Sequence, residues 1–476
     1  MLRRLPPEVL EQALLRSESR GLWLKGTHAR KKTKADSKNI VGVDLRETLS
    51  PTEDQTYALN SARSVLADAP DRSALTGTVG TTPRRSLVWN KPTDNLVEFV
   101  KCASELLDLI EATFGADMSP VFPLLTQPVS DLANVWGAYD LACADATEIP
   151  SEVLDDEKNH AAEILAAAVL SVRGISNSAD FEIDVGMNGT LGGVVHASMR
   201  QFDGRLQLNT GLQSGASDPT IAGPVAGALR QTDLLTVYYA SGHTFTNGQL
   251  FKPQTKPMPF PNWRWCDFSG YEICREKPGD GTWGANQIHA AIGTEGDRSI
   301  FGWVQRSYSD WWLTCDDGPG EMADFIDIGS DGTLRFIHVK GANSSGPRRA
   351  ISATAYEVVT SQAVKNAVFL DSDVLLRHLG KSTLSATATW TDGVRASDRS
   401  DFLEALEARD ARDRYEVVIV QPHVSKSTYD RLYNDSTVDS LPPDLLRLQR
   451  LEMILNGGRP TMTGRGSDLF VIESLI

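Results

Sequence analysis

The tetrapeptide Gly329-Ser330-Asp331-Gly332 stands between two runs, 322–328 and 333–340, that are rich in apolar, β-branched and aromatic residues. A turn of this composition between such runs commits the segment to a β-hairpin. Its register matters more than its existence, because a one-residue slip carries every side chain to the other face of the sheet. A three-residue loop, 330–332, with Gly332 in the left-handed conformation sets Asp324 directly opposite His338, with Lys340 two residues further along the same face. A four-residue loop sets Asp324 on the opposite face. After a polar stretch at 343–349, residues 352–370 carry helical periodicity, with Ala355, Val358, Val359, Gln362, Ala363, Asn366 and Phe369 on one stripe. Gln362 and Asn366 interrupt an otherwise apolar face.

The expected order is helix (299–306), strands (311–315, 321–328, 334–340), helix (352–370) and a fully apolar strand, YEVVIVQ, at 415–421. This order resembles the core of the PD-(D/E)XK, or restriction-endonuclease-like, nuclease superfamily. More narrowly, CDDGPGEMADFI, FIHVKGA, YEVVTSQAVKN and VVIVQPHVSKS are similar to the nuclease-like region towards the C-terminus of some bacterial DEAD/DEAH-box helicase proteins of defence loci. The resemblance covers roughly residues 290–476. It implies a metal-dependent nuclease using Mg2+ or Mn2+, with Asp324, Lys340, His338, Glu321 and Gln362 as catalytic candidates and Asp324, Glu321 and His338 as metal ligands. It also implies a nucleic-acid partner, DNA ahead of RNA, and a role as effector of an anti-phage defence system.

One departure bears on the chemistry. The superfamily usually carries Glu or Asp two residues before the lysine, where this chain has His338. Metal-assisted cleavage of a phosphodiester needs oxygen ligands for a hard cation, an activated water and a positive charge near the attacked phosphate. Asp324 supplies one carboxylate, the backbone carbonyl near His338 another oxygen, and Lys340 the charge. The second carboxylate then comes from Glu321, Asp316, Asp317 or Glu357, or His338 binds a softer ion such as Mn2+. Taken singly, each residue has an ordinary explanation: a solvated turn Asp, a core His, an edge-strand Lys, a Gln bonded to a loop. Only the ordered set points to catalysis. The competing expectation is an inert nuclease fold that serves as a scaffold or nucleic-acid-binding subunit beside a helicase or other ATPase.

A chain of 476 residues exceeds one core, so several domains are expected. The α+β reading has a mainly helical region at 1–175, a β-rich middle domain at 176–284 and a C-terminal α/β nuclease-like core at 285–476 with an insertion at 371–414. Expected helices are 95–114, 129–143 and 151–172; expected hairpin turns are Asn188-Gly189 and Asn247-Gly248. The net charge of −15 argues against coating nucleic acid with the whole surface. It leaves room for a local patch from Lys340, Arg348, Arg349, Lys365, Arg377 and Lys381. The HARKKTK run at 28–34 reads as a solvated linker, and the tryptophans at 263, 265, 283, 303, 311 and 312 as packing between domains. The charged helix at 400–412 suits a partner or a lid. Five cysteines without C-x-x-C spacing indicate neither a disulfide framework nor structural zinc, which fits a reducing cytoplasm. No apolar run is long enough for a signal peptide or a membrane span. With no G-x-x-x-x-G-K-[ST] stretch, any motor must sit on another chain.

Overall fold

A computed structural model describes residues 5–476 except 30–32, 47, 68–73, 116–117, 130, 145–155, 175, 203–204, 247, 254–256, 319, 347–348, 382–386, 411 and 435–441. The chain is mixed α/β and divides into two compact units, Met1–Lys256 and Pro257–Ile476. Among the described residues, no helix is long and apolar enough to cross a membrane.

The first unit is built on sheets, which corrects the expectation of a mainly helical region at 1–175. An antiparallel five-stranded sheet runs in the order Ser37–Val41, Glu18–Gly26, Tyr57–Leu66, Gly77–Thr82, Leu87–Asn90. It shares a core of Leu14, Leu22, Tyr57 and Leu59 with Pro7–Leu15 and Leu96–Thr113. Polar residues such as Ser19, Ser61 and Ser64 are buried in its strands, so the alternation that announces a half-exposed strand is missing. A second core joins the four-stranded sheet Ala168–Val172, Phe181–Met187, Thr190–Phe202, Arg205–Leu212 to a five-stranded sheet that includes Ala138–Cys143 and Leu235–Tyr239.

The helix expected at 129–143 is therefore two strands, Pro128–Val129 and Ala138–Cys143. The helix expected at 151–172 is Asp156–Ala167 followed directly by the strand Ala168–Val172, with 151–155 outside the described residues. The Asn188-Gly189 turn forms with both residues at positive φ, 52° and 85°, as a two-residue hairpin requires. Asn247 and residues 30–32 of the basic run lie outside the described residues.

The second unit starts near residue 257, not 285. Its sheet has eight strands in the order Trp263–Cys266, Ser467–Ser474, Tyr415–Ser425, Leu334–Val339, Phe325–Ile328, Trp312–Cys315, Thr389–Thr391, Val394–Arg395. The first four are mutually parallel and the remaining pairings antiparallel. One face packs Ile326, Leu334, Phe336, Ile419 and Val471 against the helices Thr354–Asn366 and Pro443–Thr463. The other packs Leu313, Phe325, Ile337, Val420 and Ile472 against the helix Ile300–Tyr308. Trp263 stacks on Trp265, with ring centroids 5.8 Å apart, inside this unit and not between domains. The insertion at 371–414 is part of the fold: Thr389–Thr391 extends the sheet, and the helix Ser400–Glu407 buries Phe402 and Leu406.

Candidate functional site

The hairpin has the three-residue loop. Gly329 N–H donates to the Thr333 carbonyl at 3.0 Å, Gly332 N–H to the Gly329 carbonyl at 2.9 Å, and Gly332 has φ 77°. Pairing runs from Ile328 with Leu334 to Phe325 with Ile337, and one further step sets Asp324 opposite His338. Asp324 is only 8% exposed. Its carboxylate accepts the Val339 N–H at 2.7 Å.

The loop that follows Trp312–Cys315 brings two more acids to this strand end. Gly318 N–H donates to the Glu321 carboxylate at 3.1 Å and Glu321 N–H to the Gly318 carbonyl at 3.1 Å, so the chain folds back on itself. As a result one carboxylate oxygen from each of Asp317, Glu321 and Asp324 lies within 4.8 Å of the others, a group that could hold a metal ion. Asn366, from the Thr354–Asn366 helix, fixes the loop by donating to the Met322 carbonyl at 2.6 Å. His289 supports it from below by contacting the Asp317 carbonyl at 2.9 Å and the Ala388 N–H at 3.1 Å.

Two lysines and a fourth acid border the cluster. Lys277 donates to Asp317 at 2.6 Å, and Lys340 pairs with Glu276 at 2.7 Å. Burial pushes the Asp324 carboxyl well above the usual carboxylate range; the Val339 N–H opposes this, while Glu321, Asp317 and Glu276 add to it. Burial likewise raises Glu321, against the Gly318 N–H and with the help of Asp317. Burial would lower Lys277, but its hydrogen bond to Asp317 and the surrounding acids hold the ammonium above its ordinary value. Among the described residues, four carboxylates thus face two ammonium groups. Full ionisation of these six groups would leave a double negative charge.

Of the residues singled out in the sequence, Asp324 and Glu321 meet. Asp317 joins them, while the other two acids considered for the role do not: Asp316 pairs with Arg399 at 3.4 Å and His378 at 3.3 Å, and Glu357 is exposed. His338 is 3% exposed and is not among the three ligand groups. Burial, with a smaller push from Lys365, lowers its pKa to about 4, so it is neutral at pH 7. Gln362 lines a shallow depression with Glu357, Val358, Ser361 and Lys365; the residue of that helix touching the acidic loop is Asn366, one turn on. Within the suggested basic patch, Arg349 is spent on the Pro422 and His423 carbonyls, and Arg348 lies outside the described residues. Glu276 and Lys277 were not anticipated, because no local motif marks them and the expected domain boundary fell just after them. Comparison with family models, with curated proteins and with solved structures finds no match for this chain.

Proposed function

We propose that the second unit is a metal-dependent nuclease that hydrolyses phosphodiesters, DNA ahead of RNA. The observation that carries this reading is the surplus of carboxylates gathered where Asp324 meets the strand end bearing Lys340. An all-oxygen donor set with excess negative charge fits a hard divalent cation such as Mg2+ or Mn2+. Asp324, Glu321 and Asp317 would hold it. When bound, the ion supplies Lewis acidity and an activated water.

The remaining work falls to the chain itself. The Val339 N–H fixes Asp324 through one oxygen and leaves the other for a ligand. Glu321 and Asp317 take the part that an acid at position 338 would play. Lys340, 45% exposed at the end of its strand, meets the phosphate and stabilises the charge developing on it. Support for a PD-(D/E)XK core comes from the element order: Ile300–Tyr308, three strands, Thr354–Asn366, then Tyr415–Ser425 parallel to Leu334–Val339. The narrower resemblance to helicase-attached regions suggests an effector of bacterial anti-phage defence, with a helicase or ATPase on a separate chain.

A second reading, an inert nuclease-fold scaffold, is favoured by one observation: the residue in the acid's place, His338, is buried and uncharged. Incubating the purified chain with DNA or RNA and Mg2+ or Mn2+, beside Lys340→Ala and Asp324→Asn, separates the two. The nuclease reading expects cleavage by the wild type and its loss in both variants. The scaffold reading expects no cleavage, and Lys340→Ala then changes only binding strength and its salt dependence.

A further inference from the structure

Glu276 and Lys277 are neighbours of opposite charge, and each pairs with a group of the opposite sign at the cluster: Glu276 with Lys340 at 2.7 Å, Lys277 with Asp317 at 2.6 Å. The Lys340–Glu276 pair is partly exposed, and pairs of this kind ordinarily contribute little to stability. Here the backbone sets the pairing. Ala342 N–H donates to the Ile273 carbonyl at 2.7 Å, tying the segment to the strand end that carries Lys340. Phe301 N–H donates to the Glu276 carbonyl at 3.0 Å and Ile300 N–H to the Arg275 carbonyl at 2.9 Å, tying it to the helix Ile300–Tyr308. Gly341 lies so close to this segment that a Cβ there would stand 2.9 Å from the Cys274 carbonyl oxygen. The glycine after Lys340 is what permits the approach.

Lys340 carries a compact charge on a flexible four-carbon stem. It follows directly on Val339, whose N–H holds the Asp324 carboxylate. Left to itself, its ammonium would be drawn onto the under-compensated carboxylates and would occupy the place of a cation. We infer that Glu276 is a positioning residue that holds the Lys340 ammonium off the Glu321 and Asp324 carboxylates, so that a divalent ion meets the Lys277 ammonium already on Asp317 but not a second one. The inference rests on the nuclease reading and deepens it: the lysine and the metal ligands are kept apart by a fourth carboxylate that is not itself in the ligand group.

The test is a double-mutant cycle on Mn2+ affinity, measured by electron paramagnetic resonance on the full chain as wild type, Glu276→Gln, Lys340→Ala and the double variant. Glu276→Gln keeps size and shape. It is expected to weaken Mn2+ binding about tenfold, because the freed lysine competes with the ion, and by less than about twofold when Lys340 is already Ala. An equal loss in both backgrounds would overturn the inference, since Glu276 would then act through its own charge alone. No loss in either background would overturn it as well. A wild type that binds and cleaves but shows no coupling removes only this inference, whereas a wild type that binds no Mn2+ removes the nuclease reading and the inference together.

Discussion

Asp324 and Asp327 lie three residues apart at one hairpin strand, both buried, yet their surroundings differ in kind. Asp327 sits in a ladder of matched charges: Arg335 reaches Asp327 at 2.7 Å and Glu416 at 3.3 Å, and Arg264 grips Glu416 at 2.9 Å while stacking over the Phe470 ring. Each acid there has a guanidinium. Asp324 and Glu321 accept backbone N–H groups instead, and further carboxylates crowd them, with the Lys277 ammonium on Asp317 as the nearby counter-charge. A buried acid with its own arginine is explained by the fold. Like charges crowded without full compensation are a cost the fold alone does not require, and such surpluses mark places where a cation or a reaction is accommodated.

The largest expected effect separates the two ends by function. Lys340→Ala should lower metal-dependent cleavage by about a hundredfold or more, as for a lost transition-state contact, with an unchanged circular dichroism spectrum and melting temperature. Undiminished cleavage by the purified variant would remove the proposed role. Arg335→Met should act the opposite way. It strands Asp327, whose carboxyl burial already pushes up to about 7 against the pull of Arg335. We expect a loss of about 3 kcal/mol in urea unfolding, with cleavage per folded molecule unchanged.

A smaller effect tests the surplus itself. Asp324→Asn keeps the acceptor for the Val339 N–H and removes the ionisable group, so the variant should be more stable than wild type at pH 7 in urea unfolding, while cleavage is lost. The sign follows from the raised pKa of the buried carboxyl. Above about pH 4, the unfolded Asp324 has released its proton while the folded one retains it, so wild-type stability falls as pH rises towards the folded value. The advantage of Asp324→Asn in urea titrations should therefore grow with pH. A constant advantage from pH 5 to 8 would mean that the crowding is relieved in solution. The smallest effect is expected at Gln362: on the rim of a surface depression, its change to Ala should reduce cleavage by less than about threefold, read in the same gel assay.

Local signals were legible in the sequence and long-range ones were not. The turn 329–332 announces the hairpin, whereas the position of Asp324 waited on the loop length, which the structure decides with Gly332 at positive φ. The second helix was legible as a helix, but its buried stripe is rotated: Val358 is 59% exposed, whereas Tyr356 and Thr360 are buried. That helix packs on the sheet and also against Pro443–Thr463, where a Cβ on Gly458 would come within 3.1 Å of Thr360. A one-sided apolar pattern cannot show a second contact of that kind. The strands Glu18–Gly26 and Tyr57–Leu66 were missed because polar residues are buried in them. Asp317 was only one of four possible acids until the fold-back at Gly318 and Glu321 selected it.

The parallel pairing of Trp263 with Val471 joins the beginning of the second unit to its last strand. Such a sheet has very high contact order and forms slowly. During synthesis the segment carrying Glu276 and Lys277 emerges early, yet its flanking strand has no partner until Ser467–Ser474 leaves the ribosome. The partly made chain must therefore wait with an open β-edge, the kind of surface that chaperones protect.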